Sequence, residues 1–137
     1  MAARIFLDTL FVIALINQRD QYHKLAVELA ARYERKRFLI TDAILLEVGN
    51  ALARKYRQQA VEVITHLLTS EDVEVVRLTP ALFDESFALY KAYRDKEWGL
   101  IDCISFVVMR QFDIQESLTF DQHFAQAGFR VLMREEE

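Results

Sequence analysis

Short apolar runs that end abruptly at a polar residue are the feature of this sequence that most restricts its fold. The first run, Ile5-Phe6-Leu7, stops at Asp8, and an apolar helix is predicted to follow over residues 10–17. A short, bulky run without polar alternation is typical of a parallel strand that is buried on both faces. Asp8 therefore stands where a strand passes into a helix, either as the N-cap of that helix or as a functional carboxylate at the strand's carboxyl end.

Strand and helix patterns alternate along the rest of the chain. Further strands are predicted at 38–40, 73–78, 116–120 and 129–133, and helices at 20–36, 42–55, 58–70, 79–94, 101–112 and about 122–127. The helix over 79–94 is expected to turn Leu82, Phe83, Phe87 and Tyr90 inward. The pattern predicts an α/β fold, a single domain with a central parallel five-stranded sheet and helices on both faces. All strands of such a sheet end at one edge.

Composition limits the classes of protein that remain. The 137 residues are 53% hydrophobic, which fits one domain over residues 1–134 with a frayed acidic tail at 135–137. A single cysteine, the absence of a leader-like start and the lack of an apolar run of about 18 residues favour a cytoplasmic protein with no membrane span. A net charge of −4 argues against nucleic-acid binding through overall charge, so any such binding needs a local basic patch or a bound metal.

Four carboxylates are candidates for a common site. Asp8 and Asp121 each follow a predicted strand, and they become neighbours if strands one and four are adjacent. Asp102 opens the most apolar helix, where an unpaired carboxylate is costly, so either capping or coordination explains it. Glu47 lies in the middle of a helix, and either a pairing with Arg54 or Lys55 or a place at the site accounts for it.

Clustered carboxylates repel each other and raise each other's pKa, and a divalent cation relieves this repulsion. Oxygen ligands without a histidine or cysteine partner suit Mg²⁺ or Mn²⁺. One such ion polarises a phosphate oxygen and activates water, and two ions also stabilise the leaving oxygen of an in-line displacement. A metal also explains how an acidic protein approaches a polyanion.

With these residues in place, the sequence resembles the PIN-domain family, and in particular its small VapC-type toxin ribonucleases. The resemblance spans nearly the whole chain and rests on four segments in order: Ile5-Phe6-Leu7-Asp8-Thr9, Thr41 to Leu52 with Glu47, Trp98 to Phe106 with Asp102, and Leu118 to Phe124 with Asp121. Members of the family often carry Ser or Thr immediately before the third acid, a position that Ile101 occupies here.

The resemblance implies an RNA-hydrolysing enzyme that depends on Mg²⁺ or Mn²⁺, forms a homodimer and is neutralised by a small antitoxin protein. It implies catalytic and metal-binding roles for Asp8, Glu47, Asp102 and Asp121, with supporting hydroxyls at Thr9 and Thr119. Asn50, on the flank of Glu47, is a further supporting candidate. Arg4, Arg54, Lys55 and Lys96 are candidates for contact with the RNA backbone, and the apolar helix around residues 56–68 is a candidate dimer interface.

Three alternatives stay open on the sequence alone. The same fold serves RNA-processing or DNA-cleaving nucleases without an antitoxin, and domains that only bind RNA or protein. A phosphotransfer enzyme of the haloacid-dehalogenase type is disfavoured, because Leu10 stands where a second aspartate would be required. A receiver domain is disfavoured, because adjacent acids at the end of strand one and a lysine late in the chain are missing. Cys103 is interpreted as a buried apolar residue and not a nucleophile, and Trp98 and the tyrosines as packing residues. His23, His66 and His123 show no metal-ligand spacing, and His123 is a candidate for contact with the substrate near Asp121.

Overall fold

A computed structural model describes residues 3–134, and the predicted acidic tail lies outside the described residues. Five strands form one sheet in the order β3-β2-β1-β4-β5, and every neighbouring pair is parallel. The strands are β1 (Arg4–Leu7), β2 (Arg37–Thr41), β3 (Val73–Val76), β4 (Glu116–Leu118) and β5 (Arg130–Val131). The predicted α/β fold is confirmed, including the adjacency of strands one and four.

Seven helices connect and cover the strands. They are α1 (Thr9–Ile16), α2 (His23–Arg32), α3 (Asp42–Ala51), α4 (Arg57–Thr69), α5 (Pro80–Ala92), α6 (Leu100–Gln111) and α7 (Gln122–Gln126), and a short 3-10 helix follows β5 at Leu132–Arg134. α1 packs on α2 and α3, whereas α5 packs on α6. No helix within residues 3–134 is long and apolar enough to cross a membrane.

The core lies between the sheet and α6, as the apolar character of that helix predicts. Seven consecutive residues of α6, from Cys103 to Met109, are buried. The ring of Phe106 meets that of Phe124 edge to face, with centroids 5.0 Å apart, and Phe124 approaches Phe6 of the central strand at 6.2 Å. Buried aromatic pairs contribute strongly to folding, so these rings connect α6 to β1 through α7.

Several boundaries differ from those predicted. α2 begins at His23 and not at Asp20, because Asn17 and Asp20 accept hydrogen bonds from the backbone two residues later and form turns. α3 ends at Ala51, before Lys55. β3 ends at Val76 and β4 at Leu118, two residues early in each case, and β5 contains two residues before the 3-10 helix begins. The order and number of the elements are unchanged.

The inward face predicted for α5 is confirmed for Leu82 and wrong for its three aromatic residues. Phe83, Phe87 and Tyr90 are 40%, 41% and 45% exposed, and the residues that α5 buries are Leu82 and Ser86, with Leu89 partly buried beside them. The hydroxyl of Ser86 donates to the Leu82 carbonyl, so this polar residue packs inside the helix pair at no cost in unpaired groups. The aromatic residues consequently form an exposed row along the outer side of α5.

Candidate active site

The carboxyl ends of β1 and β4 are the natural place for a site in this sheet. From β1 the chain moves outward through β2 and β3, and then returns to the other side of β1 through β4 and β5. The strand order therefore reverses between β1 and β4, and ligands of open α/β sheets bind in the crevice at such a point. Leu7 pairs with Leu118 in the register, so Asp8 and Thr119 emerge side by side at this crevice.

Asp8 is held in a dry environment by its neighbour on β4. The side chain is buried, and its Oδ2 accepts the Thr119 hydroxyl at 2.8 Å. Asp8 occupies the N-cap position of α1, but its side chain makes no capping hydrogen bond. Burial, augmented by the charges of Asp102 and Asp121, raises the pKa of Asp8 to about 7 despite the bonds from Thr119 and the Thr9 backbone. Asp8 therefore does not cap α1 through its side chain, and its raised pKa makes it a candidate functional carboxylate.

Asp102 and Asp121 approach each other from opposite sides of the crevice, and His123 joins them. Ligand atoms of these three residues all lie within 4.8 Å of one another. His123 Nδ1 is 3.0 Å from Asp102 Oδ2 and 3.5 Å from Asp121 Oδ1. Burial is also the largest cause that raises the pKa of Asp102, whereas the Gly99 backbone and His123 lower it. Together with Asp8, whose pKa both aspartates affect, they form an acidic cluster.

Asp102 has a capping role as well as a place in the cluster. Its Oδ2 accepts the backbone N–H of Gly99, the N-cap residue of α6, at 3.0 Å. The capping explanation is therefore confirmed for this carboxylate, which also lies in the acidic cluster. The bond to Gly99 fixes the orientation of the side chain, because one oxygen is tied to the first turn of α6.

Thr119 and Thr9 connect the acids to one another. The Thr119 hydroxyl donates to Asp8 and accepts the Asp121 backbone N–H at 3.0 Å. The Thr9 hydroxyl donates to Glu47 on α3 at 2.5 Å, which brings this half-buried mid-helix acid to the residue that follows Asp8. Glu47 is thus linked to the cluster through Thr9, and lies outside the group of three whose ligand atoms converge.

The other predicted residues lie at different distances from this crevice. Arg4 begins β1 at the opposite edge of the sheet, where it pairs with Glu74. Arg54 and Lys55 line a separate cavity with Asn17 and Tyr56. Asn50 is exposed on α3, three residues beyond Glu47, and Lys96 is partly buried in the connection that leads to α6.

The sequence analysis considered His123 only for contact with the substrate near Asp121, and missed its contact with Asp102. Its backbone N–H donates to Asp121 Oδ1 at 2.9 Å at the start of α7, and this turn directs the imidazole back toward Asp102. The available signal was the spacing of an aspartate and a histidine two residues apart immediately after a strand. Cys103 next to Asp102 is fully buried, and burial raises the pKa of its thiol to about 11, so it is unsuited to act as a nucleophile.

The donor set fits a divalent cation. Within residues 3–134, no Lys or Arg forms an ion pair with Asp8, Glu47, Asp102 or Asp121, and the imidazole of His123 is the partner of the last two. Crowded carboxylates without a paired Lys or Arg are relieved by binding a proton, as the raised pKa of Asp8 indicates, or by binding a cation. Hard oxygen donors with at most one imidazole suit Mg²⁺ or Mn²⁺.

A central parallel sheet with an acidic cluster at its switch point is the arrangement expected of a PIN domain. Comparison with known proteins identifies the same family. The sequence matches the PIN domain family over residues 5–130, so this chain belongs to the PIN-domain family.

Among its relatives is VapC20, a 23S rRNA-specific endonuclease of Mycobacterium tuberculosis, found in strains CDC 1551 and H37Rv. It is 30% identical over 125 residues, which cover 91% of this chain and 95% of the relative. The crystal structure of M. tuberculosis VapC20, described as a Sarcin-Ricin loop cleaving toxin, superposes with a TM-score of 0.82 over the same shares of the two chains. The chain is thus a homologue of a VapC-type toxin endonuclease.

Proposed function

We propose that this protein is an endoribonuclease that hydrolyses RNA phosphodiesters at the acidic cluster and depends on Mg²⁺ or Mn²⁺. The observation that carries the proposal is the convergence of Asp8, Asp102 and Asp121 at the switch point of a PIN-domain sheet, with no Lys or Arg of residues 3–134 paired to them. The relationship to an rRNA-specific endonuclease over 91% of the chain supports RNA as the substrate class.

Asp8, Asp102 and Asp121 would hold the metal, with Glu47 completing the site through Thr9. When bound, the cation supplies a Lewis acid for the phosphate and lowers the pKa of a water molecule. Asp102, which the Gly99 N–H keeps oriented, would accept a proton from the attacking water. Thr119 holds Asp8 and the backbone of Asp121 in register with each other.

The direct test is RNA cleavage by the purified protein in Mg²⁺, in Mn²⁺ and in a chelator, beside Asp102→Asn. Asn preserves the shape of the side chain and an acceptor for Gly99 but removes the negative charge. Cleavage should disappear in the chelator and fall by at least about a hundredfold in the variant. Asp84→Asn, an exposed change of the same chemistry on α5, should cleave as the wild type does. Cleavage that survives the chelator would refute metal dependence.

The role of this nuclease is proposed to be that of a cytoplasmic toxin held inactive by a small antitoxin. The support is the homology to VapC20, which is described as a toxin. Expression of the chain alone should arrest growth, and co-expression with a small protein encoded beside it should restore growth. An RNA-processing nuclease without an antitoxin predicts no such rescue.

A homodimer is the assembly that we propose. Val61 and Leu68 on α4 are 52% and 44% exposed and lie on one side of the helix, seven residues apart. Sedimentation of the wild type should give the mass of two chains, and Val61→Glu together with Leu68→Glu should give one. An unchanged mass in the double variant would place the interface elsewhere.

A further inference from the structure

A groove lies beside the acidic cluster, between the end of α5 and the start of α6. It encloses about 530 Å³ and includes Tyr90, Lys91, Tyr93, Arg94, Lys96 and Gly99 in its wall; we refer to it as the 90–99 groove. Its volume falls within the roughly 300–1,000 Å³ that small-ligand sites occupy. Because Gly99 is the N-cap residue of α6 and Asp102 lies in the first turn of that helix, the groove opens next to the proposed catalytic carboxylate.

The groove is locally basic in a chain whose net charge is −4. Lys91, Arg94 and Lys96 line it, against the single carboxylate of Glu97 in the same wall. Arg94 is exposed and forms no ion pair with any residue of the described chain, and Lys96 pairs with Asp95, which is itself 72% exposed at its side chain. Lys91 is exposed, and its Nζ lies 4.9 Å from the centroid of the exposed Phe87 ring. Cations in this arrangement remain available to an anionic partner.

Aromatic rings give the groove flat, rigid surfaces. Tyr93 packs against Trp98 with centroids 5.0 Å apart and is nevertheless 42% exposed, so one side of the ring is supported while part of it faces solvent. Trp98 is buried, and its Nε1 donates to Gln126 of α7 at 3.0 Å. A supported tyrosine with an exposed face is the kind of platform on which an unpaired base stacks.

The groove is continuous with the site through a single residue. The Gly99 N–H, which belongs to the wall of the groove, donates to Asp102 Oδ2 at 3.0 Å. A Cβ at position 99 would stand 3.9 Å from that oxygen, so the wall and the carboxylate are in close contact. A strand whose phosphate lies at the acidic cluster would extend directly into the groove.

We propose that the 90–99 groove binds the single-stranded RNA segment adjacent to the scissile phosphate, with backbone phosphates on Lys91, Arg94 and Lys96 and an unpaired base stacked on Tyr93. This inference rests on the proposed function in one respect, the choice of RNA as the polyanion. The combination of cations and a stacking ring fits single-stranded nucleic acid, whereas an apolar protein partner would leave three charges buried.

The test is the binding of a labelled single-stranded RNA of about 12 nucleotides, followed by fluorescence anisotropy in EDTA at several salt concentrations. A triple variant, Lys91→Gln, Arg94→Gln and Lys96→Gln, should bind more weakly, and the slope of log affinity against log salt should fall by about 2, since each phosphate contact on a single strand contributes about 0.7. Gel analysis of the probe verifies that it stays intact.

A matched control removes three exposed cations from the opposite edge of the sheet: Arg35→Gln, Lys36→Gln and Arg37→Gln. It makes the same change in net charge and should reduce the slope far less. For the stacking contact, Tyr93→Leu should weaken binding by about tenfold, whereas Tyr93→Phe should preserve it. Circular dichroism of each variant verifies that the fold is intact.

The outcomes separate this inference from the proposed function. If the wild type cleaves RNA and the groove variants bind and cleave as the control does, the groove inference is overturned and the nuclease stands. If no RNA is cleaved but binding depends on the groove, the inference stands and the nuclease does not. If the groove variants change the sedimenting mass and not the RNA affinity, a second copy of the chain occupies the groove and the inference is again overturned.

Discussion

At the scale of single residues, the site depends on carboxylates that are expensive to keep ionised. Asp8 is nearly inaccessible to solvent, and its compensating hydrogen bonds come from Thr119 and the Thr9 backbone. Its pKa is raised to about 7 from 3.8, so the folded protein binds a proton more tightly at Asp8 than the unfolded chain does. Asp8 therefore destabilises the metal-free protein at neutral pH and attracts a cation for the same reason.

The corresponding prediction concerns Asp8→Asn in the presence of EDTA. Between pH 4 and pH 7 the folded state holds the extra proton, so the contribution of Asp8 to the free energy of unfolding falls with rising pH and is constant above pH 7. Asn cannot ionise but still accepts the Thr119 hydroxyl, so the variant should be the more stable protein at pH 8, by at most about 4 kcal/mol. Urea denaturation at pH 5 and pH 8 measures this.

Asp84→Asn is the control for that prediction, since it removes an exposed carboxylate of the same type. Identical pH dependence in the wild type and in Asp8→Asn would contradict the raised pKa. RNA cleavage should be lost in Asp8→Asn even where its stability increases.

His123 provides a second prediction at this scale. Its Nδ1 lies 3.0 Å from Asp102 Oδ2, and its backbone N–H donates to Asp121 Oδ1 at the start of α7. His123 therefore holds the side chains of both acids in place. His123→Ala should lower the cleavage rate by about 10–100-fold, the usual cost of losing a group that orients a metal ligand. His66→Ala on exposed α4 is the matched change and should have no effect on the rate. Equal rates for both variants would remove His123 from the site.

At the scale of elements, α6 links the core to the chemistry. Its middle is buried on all sides. Its first turn carries Asp102, whose side chain accepts a hydrogen bond from the backbone N–H of the N-cap residue Gly99. Ile101, where relatives of this family often carry a hydroxyl, packs against the core and leaves its carbonyl to accept the Ser105 hydroxyl. The hydroxyls that do support the acids come from Thr9 on α1 and Thr119 after β4.

The two roles of Asp102 can be separated experimentally. Asp102→Asn keeps an oxygen that accepts the Gly99 N–H, so the free energy of unfolding in EDTA should not decrease, although cleavage is lost. Asp102→Ala removes the acceptor and should lose about 1 kcal/mol of capping energy, partly offset by relief of the carboxylate's burial. Thermal unfolding of both variants beside cleavage assays provides the comparison. Equal stability of the two variants would mean that the bond to Gly99 contributes nothing.

At the scale of the whole molecule, binding of a cation should couple the site to global stability. The acids come from α1's N-cap, α3, α6 and the loop after β4, so an ion bound there would join elements far apart in sequence. Any ligand that binds the folded state alone stabilises it, by about 2.7 kcal/mol at a concentration of one hundred times its Kd.

The prediction is that Mn²⁺ raises the melting temperature of the wild type, and raises it more at pH 8 than at pH 5. The larger increase at pH 8 is expected because Asp8 holds a proton below about pH 7, and the ion must displace this proton at pH 5 but not at pH 8. Asp121→Asn should reduce the increase in melting temperature that Mn²⁺ causes, whereas Asp84→Asn should leave it unchanged. A rise of equal size in all three proteins would indicate nonspecific binding. Scanning calorimetry with and without the ion measures the effect.

Much of this molecule follows from patterns that are local in the sequence. Runs such as Ile5-Phe6-Leu7 are buried strands because bulky residues without alternation suit a strand covered on both faces. α6 was recognisable because it is apolar on nearly every side. The buried face of α5 was not recognisable, because its aromatic residues have the spacing of a buried stripe. The space beside α6 instead admits the smaller Leu82 and Ser86.

The sequence by itself determined the strand–helix alternation, and hence that aspartates after parallel strands gather at one edge of a sheet. Only the tertiary structure decided that Leu7 pairs with Leu118, which places Asp8 beside Thr119, and that the turn after Asp121 brings His123 to Asp102. The reason is physical: burial and periodicity depend on neighbours along the chain, whereas register, hydrogen-bond partners and the pKa of a carboxylate depend on residues that are distant in sequence and close in space.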